Sequence, residues 1–177
     1  MDKTLTRWQI AGFVFTAAGG TLLHFLYDWI GQSMATALVS AINESVWEHM
    51  KLLFIPMFGF ALLQSIFFGG KYSHFWCVKL IGILLGLILI PVLYYTYTGA
   101  LGQSLSWVNI AIFYVAAAAV YAFETWLLGR EGLSCRTPQL ALLVLCVLAV
   151  AFVAWTFDPP QYPLFQDPIS RLYGIGS

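Results

Sequence analysis

Five runs of about 20 mostly apolar residues, near 8–28, 45–68, 75–95, 107–128 and 138–157, take up most of the chain. The hydrocarbon core of a bilayer is about 30 Å thick, and about 20 residues of α-helix cross it. The pattern therefore predicts an all-α fold: a polytopic membrane helix bundle of five transmembrane helices. Composition agrees, because 60% hydrophobic, 17% aromatic and 9% charged residues would leave a soluble domain of 177 residues with an apolar surface. Eight basic and eight acidic residues cancel, so there is no basic field for nucleic acid. Lys3 and Arg7 followed by an apolar run resemble a signal peptide, but the run is long, carries His24 and shows no Ala-x-Ala site, so it is read as retained.

Lys3, Arg7, Lys71, Lys79, Arg130 and Arg136 fall at the N-terminus and beside the second and fourth connections, against Lys51 and Arg171 on the other side. The positive-inside rule then places the N-terminus in the cytoplasm and the C-terminus outside. Trp8, Trp29, Trp47, Trp76, Trp107, Trp126 and Trp155 each lie at the end of a proposed span, where an indole prefers the headgroup layer. Cys77, Cys135 and Cys146 form no CxxC pair, and neither disulfide stapling nor a thiol-held metal is expected.

Charge meets apolar sequence most sharply at Asn43-Glu44-Ser45-Val46-Trp47-Glu48-His49-Met50-Lys51. Asn43 is expected to cap the second span and Glu44 to complement its dipole. On a helical wheel Glu44, Glu48 and Lys51 form one line and Ser45 and His49 another, while Trp47, Met50 and Phe54 are expected to face lipid. His24 and Asp28 lie one turn apart near the outer end of the first span. Antiparallel spans bring His24, Asp28, Glu44, Glu48 and His49 to similar depth. Such a set can hold a divalent metal such as zinc, with His24, Asp28, Glu44 and His49 as ligands and Glu48, His49 and Ser45 as catalytic groups. A buried charge costs about 2.5–3.5 kcal/mol on insertion scales, so Glu124 is expected to pair with Lys79. Glu48 and Lys51 can likewise neutralise each other.

Residues 29–43 read as an interfacial helix, Pro56 should free a carbonyl inside span two, and Gly82 and Gly86 suit a packing seam. The chain thus divides into a bundle over 1–157 and a Pro-rich extracytoplasmic tail over 158–177, expected to fold over the outer face. Lys51, Tyr94, Tyr95, Asp158 and Asp167 are the candidate substrate or lid residues.

The Asn43–Lys51 segment, Tyr94-Tyr95-Thr96-Tyr97-Thr98-Gly99, and Pro163-Leu164-Phe165-Gln166-Asp167-Pro168 followed by Tyr173-Gly174-Ile175 together resemble an uncharacterised family of small bacterial multi-pass membrane proteins, a domain of unknown function. The resemblance implies a bacterial inner-membrane location and no particular activity. Ser45 and His49, one turn apart, are also similar to the serine and histidine that membrane hydrolases typified by alkaline ceramidases place near zinc. The function expected is a metal-dependent hydrolase acting on a lipid or lipid-like substrate. The alternatives are a small, homo-oligomeric transporter of ions or protons with Gln64 and Glu124 continuing the polar route, or a non-catalytic assembly subunit. Expected partners are membrane lipids and a lipid-like or small-molecule ligand.

Overall fold

Each apolar run becomes a helix because a chain that cannot hydrate its amides must bond them within itself. The computed structural model describes residues 2–175, in the order α1 (Lys3–Trp29), α2 (Met34–Ala37), α3 (Val46–Phe68), α4 (Phe75–Leu101), α5 (Ser106–Leu128) and α6 (Pro138–Phe157). All but α2 are long and apolar enough to cross a membrane. Helices α1, α3, α4 and α5 close a ring of neighbours, and α6 packs outside it against α4 and α3. The N-terminus and the α3–α4 and α5–α6 connections share one end, here the basic end; α2, the α4–α5 turn and the tail share the other.

Helix α3 is the most enclosed span, and this corrects the expectation that its aromatic arc faces lipid. Trp47, Met50 and Phe54 are all buried. Trp47 packs on Phe152 of α6 at 4.3 Å between ring centroids and on Phe165 of the tail at 4.8 Å. A helix apolar all round carries no wheel signal that separates lipid from protein.

The contact between α1 and α3 sets everything above it. Pro56 has no amide hydrogen, which releases the carbonyl of Leu52 from the helical ladder. That carbonyl faces Gly20, where a Cβ would come within 2.9 Å of it and also collide with the Phe113 ring. Gly20 is thus needed for the backbones to approach. The two helices run antiparallel in one register: Gln9 meets Gln64, Gly12 meets Phe60, Gly20 meets Leu52 and His24 meets His49. Gly82 and Gly86 perform the same service for α4, receiving Glu124 at the first and Leu53 with Val120 at the second.

Several local expectations change. The N-cap of α3 is Ser45, whose Oγ accepts from the Glu48 amide, while Asn43 Oδ1 accepts from the Ser45 amide one step earlier. Glu44 therefore precedes the helix rather than lying in its first turn. Residues 30–45 hold only the single turn α2, because Ala37, Ser40 and Ala41 are drawn into the core rather than laid along an interface. Helix α4 continues to Leu101 and includes Tyr94–Thr98. A disulfide joins Cys77 to Cys135. The two are 58 residues apart in sequence. They meet because the first turn of α4 and the α5–α6 connection lie at the same end, a proximity that spacing could not reveal.

The tail turns back over the end of α3. The Trp47 amide donates to the Leu164 carbonyl at 3.0 Å, and Phe165 is buried against Trp47 and Trp155. The last two residues of the tail lie outside the described residues.

A candidate metal centre

Two buried ion pairs define what is structural in the bundle. Near the site end, Lys51 Nζ lies 2.5 Å from Glu48 Oε2 and donates to the Thr156 hydroxyl at 2.8 Å and the Ala37 carbonyl at 3.0 Å. Glu48 Oε2 also accepts from the Ile42 amide, and Oε1 lies 3.0 Å from Thr156 Oγ1. Nearer the basic end, Lys79 Nζ lies 2.5 Å from Glu124 Oε2, as the sequence leads one to expect. Gln9 bonds the same oxygen and accepts from Gln64. All six of these ionic and amide side chains are at most 2% exposed. Buried charges persist only when so enclosed by partners.

The remaining groups at the site end behave differently. His24 on α1, Glu44 in the connection and His49 on α3 bring one ligand atom each within 4.8 Å of one another. His24 Nε2 stands 3.7 Å from Glu44 Oε1, and His49 Nε2 stands 3.6 Å from Glu44 Oε2. These separations are too long for hydrogen bonds. Each histidine faces a different Glu44 oxygen, and one ligand atom per residue gathers only within 4.8 Å, so a bound ion would draw the three side chains in toward the roughly 3.3 Å edge of a tetrahedron with zinc bonds of about 2.0 Å. His49 Nδ1 lies 2.9 Å from the Ser45 carbonyl oxygen. A carbonyl can only accept, so Nδ1 is the donor, and in the neutral imidazole this leaves Nε2 as the lone pair that faces Glu44. The two imidazoles meet edge to face at 5.4 Å, and Phe25 stacks on His24 at 5.0 Å.

The helices explain this meeting. Gly20 lets α1 press on Leu52, and one turn further along each helix toward this end stand His24 and His49. Glu44 reaches both because it lies just outside the cap, where the chain is not yet helical. Its side chain is 40% exposed, so the cluster opens to the surface.

Three cavities converge there. A space of about 230 Å³ runs from His24 and His49 down the seam between α1 and α5, walled by Thr21, Leu52, Phe113 and Tyr114 and edged by the exposed Phe25 and Ile110. A narrower space of about 20 Å³ joins Glu44 and His49 to Tyr94 and Asn109. A third, of about 130 Å³, joins His24 and Glu44 to Asp28 and Asn43.

The sequence candidates are distributed as follows. His24, Glu44 and His49 come together. Asp28 is exposed, accepts from Gln32 at 3.3 Å and lines a wall without joining the ligand set. Glu48 and Lys51 are spent on each other. Ser45 is 1% exposed, and its hydroxyl accepts from the Glu48 amide as the cap. Tyr94 lines the narrow cavity, whereas Tyr95 is 42% exposed and lines none of the three. Asp158 lies exposed at the end of α6. Asp167 is buried and holds its own turn, accepting from the Ile169 and Ser170 amides. Sequence reasoning overlooked Asn109, which accepts from Tyr97 and borders two of the cavities, and Thr156, which completes the Lys51 cage. A lone asparagine or threonine in an apolar run is the signal that was available for both.

No curated protein and no solved structure matches the chain. Residues 1–175 match the Family of unknown function (DUF6512), and the chain belongs to that family.

Proposed function

We propose that the protein is a membrane-embedded, metal-dependent hydrolase of a lipid-like substrate, with a divalent ion such as zinc held by His24, Glu44 and His49. The observation that carries this reading is the convergence of one ligand atom from each of three residues, within 4.8 Å of one another, on the mouth of an apolar cavity that reaches the side of the bundle. Two histidines and a carboxylate leave a fourth position for water, the arrangement of catalytic rather than structural zinc. Bound there, the ion would lower the pKa of that water and polarise the bond to be cleaved.

The chain's own residues divide the remaining tasks. The seam between α1 and α5 takes the alkyl part of an amphiphile, entering past Phe25 and Ile110. Asn109 and Tyr94, across from the ligands, orient the polar head. Asp28, on the wall shared with His24 and Glu44, is the carboxylate placed to accept a proton now that Glu48 is committed to Lys51. The basic end is taken as cytoplasmic, so the site faces out of the cell's inner membrane.

The test is zinc titration calorimetry and elemental analysis on purified protein, with His24→Ala, Glu44→Gln and His49→Ala beside Asp28→Asn. One zinc per chain is expected in the wild type and in Asp28→Asn, and each ligand variant should bind at least about 10-fold more weakly. Hydrolysis of a chromogenic short-chain acyl ester should need both zinc and Asp28. Wild-type protein that takes up no zinc overturns the reading.

A further inference from the structure

The disulfide lies at the end where the basic residues gather. Lys3, Arg7, Lys71, Arg130 and Arg136 lie at that end, the distribution expected of a cytoplasmic surface. Cytosolic thiols are kept reduced, and a disulfide facing them is more often transient than structural. Its position also differs from that of a simple staple. Cys77 lies in the first turn of a packed helix, but Cys135 lies in the irregular connection between Leu128 and Pro138. Among the described residues, 130–136 make hydrogen bonds only to their own neighbourhood, as when the Arg130 amide donates to Leu127. The disulfide is the crosslink that ties this connection to the bundle.

Beside the connection is a cleft of about 470 Å³ open to the surface, walled by Leu128–Leu133 on one side and by Asp2, Leu5 and Lys71–His74 on the other. His74 is 7% exposed, and neither of its ring nitrogens has a hydrogen-bond partner. A buried imidazole without partners is costly, and the cost falls once water or a ligand reaches it. Gly129 and Gly132 flank the wall, the latter at φ +80°, where a side chain would be strained.

We propose that Cys77 and Cys135 form a reversible thiol–disulfide latch that, when oxidised, holds the α5–α6 connection in place as one wall of the cleft beside His74. The chemical partner is a small-molecule disulfide of the glutathione class. One protein thiolate attacks it and releases one glutathione thiol, leaving a mixed disulfide; the second protein thiolate then displaces the other glutathione. Two protein thiols are oxidised and one glutathione disulfide is reduced to two thiols, so no further oxidant is required. Reduction reverses both exchanges and frees the connection to swing at its glycines, which uncovers the His74 imidazole further. The inference shares the orientation assumed above but not the metal centre, and a protein that binds no zinc leaves it intact.

The full-length protein in detergent is equilibrated with reduced or oxidised glutathione, acid-quenched, denatured and alkylated with a maleimide. Mass spectrometry should count three labelled cysteines in the reduced sample and Cys146 alone in the oxidised one. The same samples, treated before quenching with diethyl pyrocarbonate, should show His74 modified several-fold faster in the dithiol form, with His24 and His49 unchanged as internal references. The Cys77→Ser, Cys135→Ser protein should show the fast rate in both buffers. A disulfide that survives excess reduced glutathione, a pair that never forms in oxidised glutathione, or a His74 rate indifferent to the buffer would each overturn the proposal.

Discussion

Replacing Gly82 with alanine should injure the protein far more than a single methyl group suggests. A Cβ at that position falls 2.6 Å from Glu124 Oε1, 2.7 Å from its Cγ and 3.0 Å from its carboxyl carbon. Overlap of this kind ordinarily costs about 1–3 kcal/mol because a neighbour must move. Here the neighbour is not free to move, since Lys79 holds Glu124 at 2.5 Å and Gln9 holds it at 3.3 Å. Swinging the carboxylate aside would leave Lys79 buried without its counter-ion, and breaking such a pair costs about 3–5 kcal/mol. The expected loss therefore exceeds ordinary overpacking and approaches that of Lys79→Met itself. Unfolding of the detergent-solubilised protein, followed by tryptophan fluorescence, measures it. Gly99 lies on the same helix with open space where its Cβ would be, and Gly99→Ala should be neutral or gain up to about 1 kcal/mol from helix propensity. In a Glu124→Ala background the space is vacated, and Gly82→Ala should lose most of its cost. An equal penalty with and without the Glu124 side chain would refute the argument, because the methyl would then be meeting something other than the carboxylate.

Ser45→Ala should lose about 1 kcal/mol of stability as a lost cap while keeping zinc affinity and hydrolysis, and loss of turnover without loss of stability would instead identify the serine as a nucleophile. At the basic end the ion pair to Lys71 holds the Asp2 carboxyl below its usual range, and Asp2 in turn raises the Lys71 ammonium. The Asp2 contribution is thus present at neutral pH and lost as pH falls through its depressed value. That of Lys71 is lost only as pH rises through its elevated one. Lys71 is exposed and Asp2 half-exposed, so Asp2→Asn should flatten a small, salt-sensitive acid limb in the stability profile, and an unchanged limb in that variant would exclude the pair as its origin. Lys51→Met leaves Glu48 caged without a charge partner and should cost about 3–5 kcal/mol, most of which returns in Lys51→Met, Glu48→Gln; if the second change adds further loss instead, the pair is not coupled as described.

The five spans were legible because length and hydropathy alone decide what crosses a bilayer. The pairing of Lys79 with Glu124 was legible too, since both charges fall near the same end and neither can be left alone. What the pattern could not convey was register. The depth argument brought five polar groups to one level, but it could not tell that Glu48 turns toward Lys51 and Thr156 while Glu44, outside the helix, turns toward the histidines. The aromatic arc of α3 was misread because α6, a helix with no polar stripe, covers it. Gln9 escaped notice as a single uncharged residue near the start of α1, more than three turns from His24, although it lies on the same face. The cysteine pairing needs two connections to meet at one end, and a separation of 58 residues contains no hint of it.

The knot of Gln9, Gln64, Lys79 and Glu124 draws one side chain from each of four helices, and this bears on how the chain enters the membrane. Lys79 emerges from the ribosome 45 residues before the carboxylate that neutralises it. Until α5 follows, its ammonium has only amide oxygens for company, at a cost below the roughly 2.5–3.5 kcal/mol of a mid-membrane charge because Lys79 lies in the first turns of α4. A chain halted after α4 should therefore linger at the translocon or fall to proteolysis, and α5 acts as the signal that the preceding helices are ready to leave together.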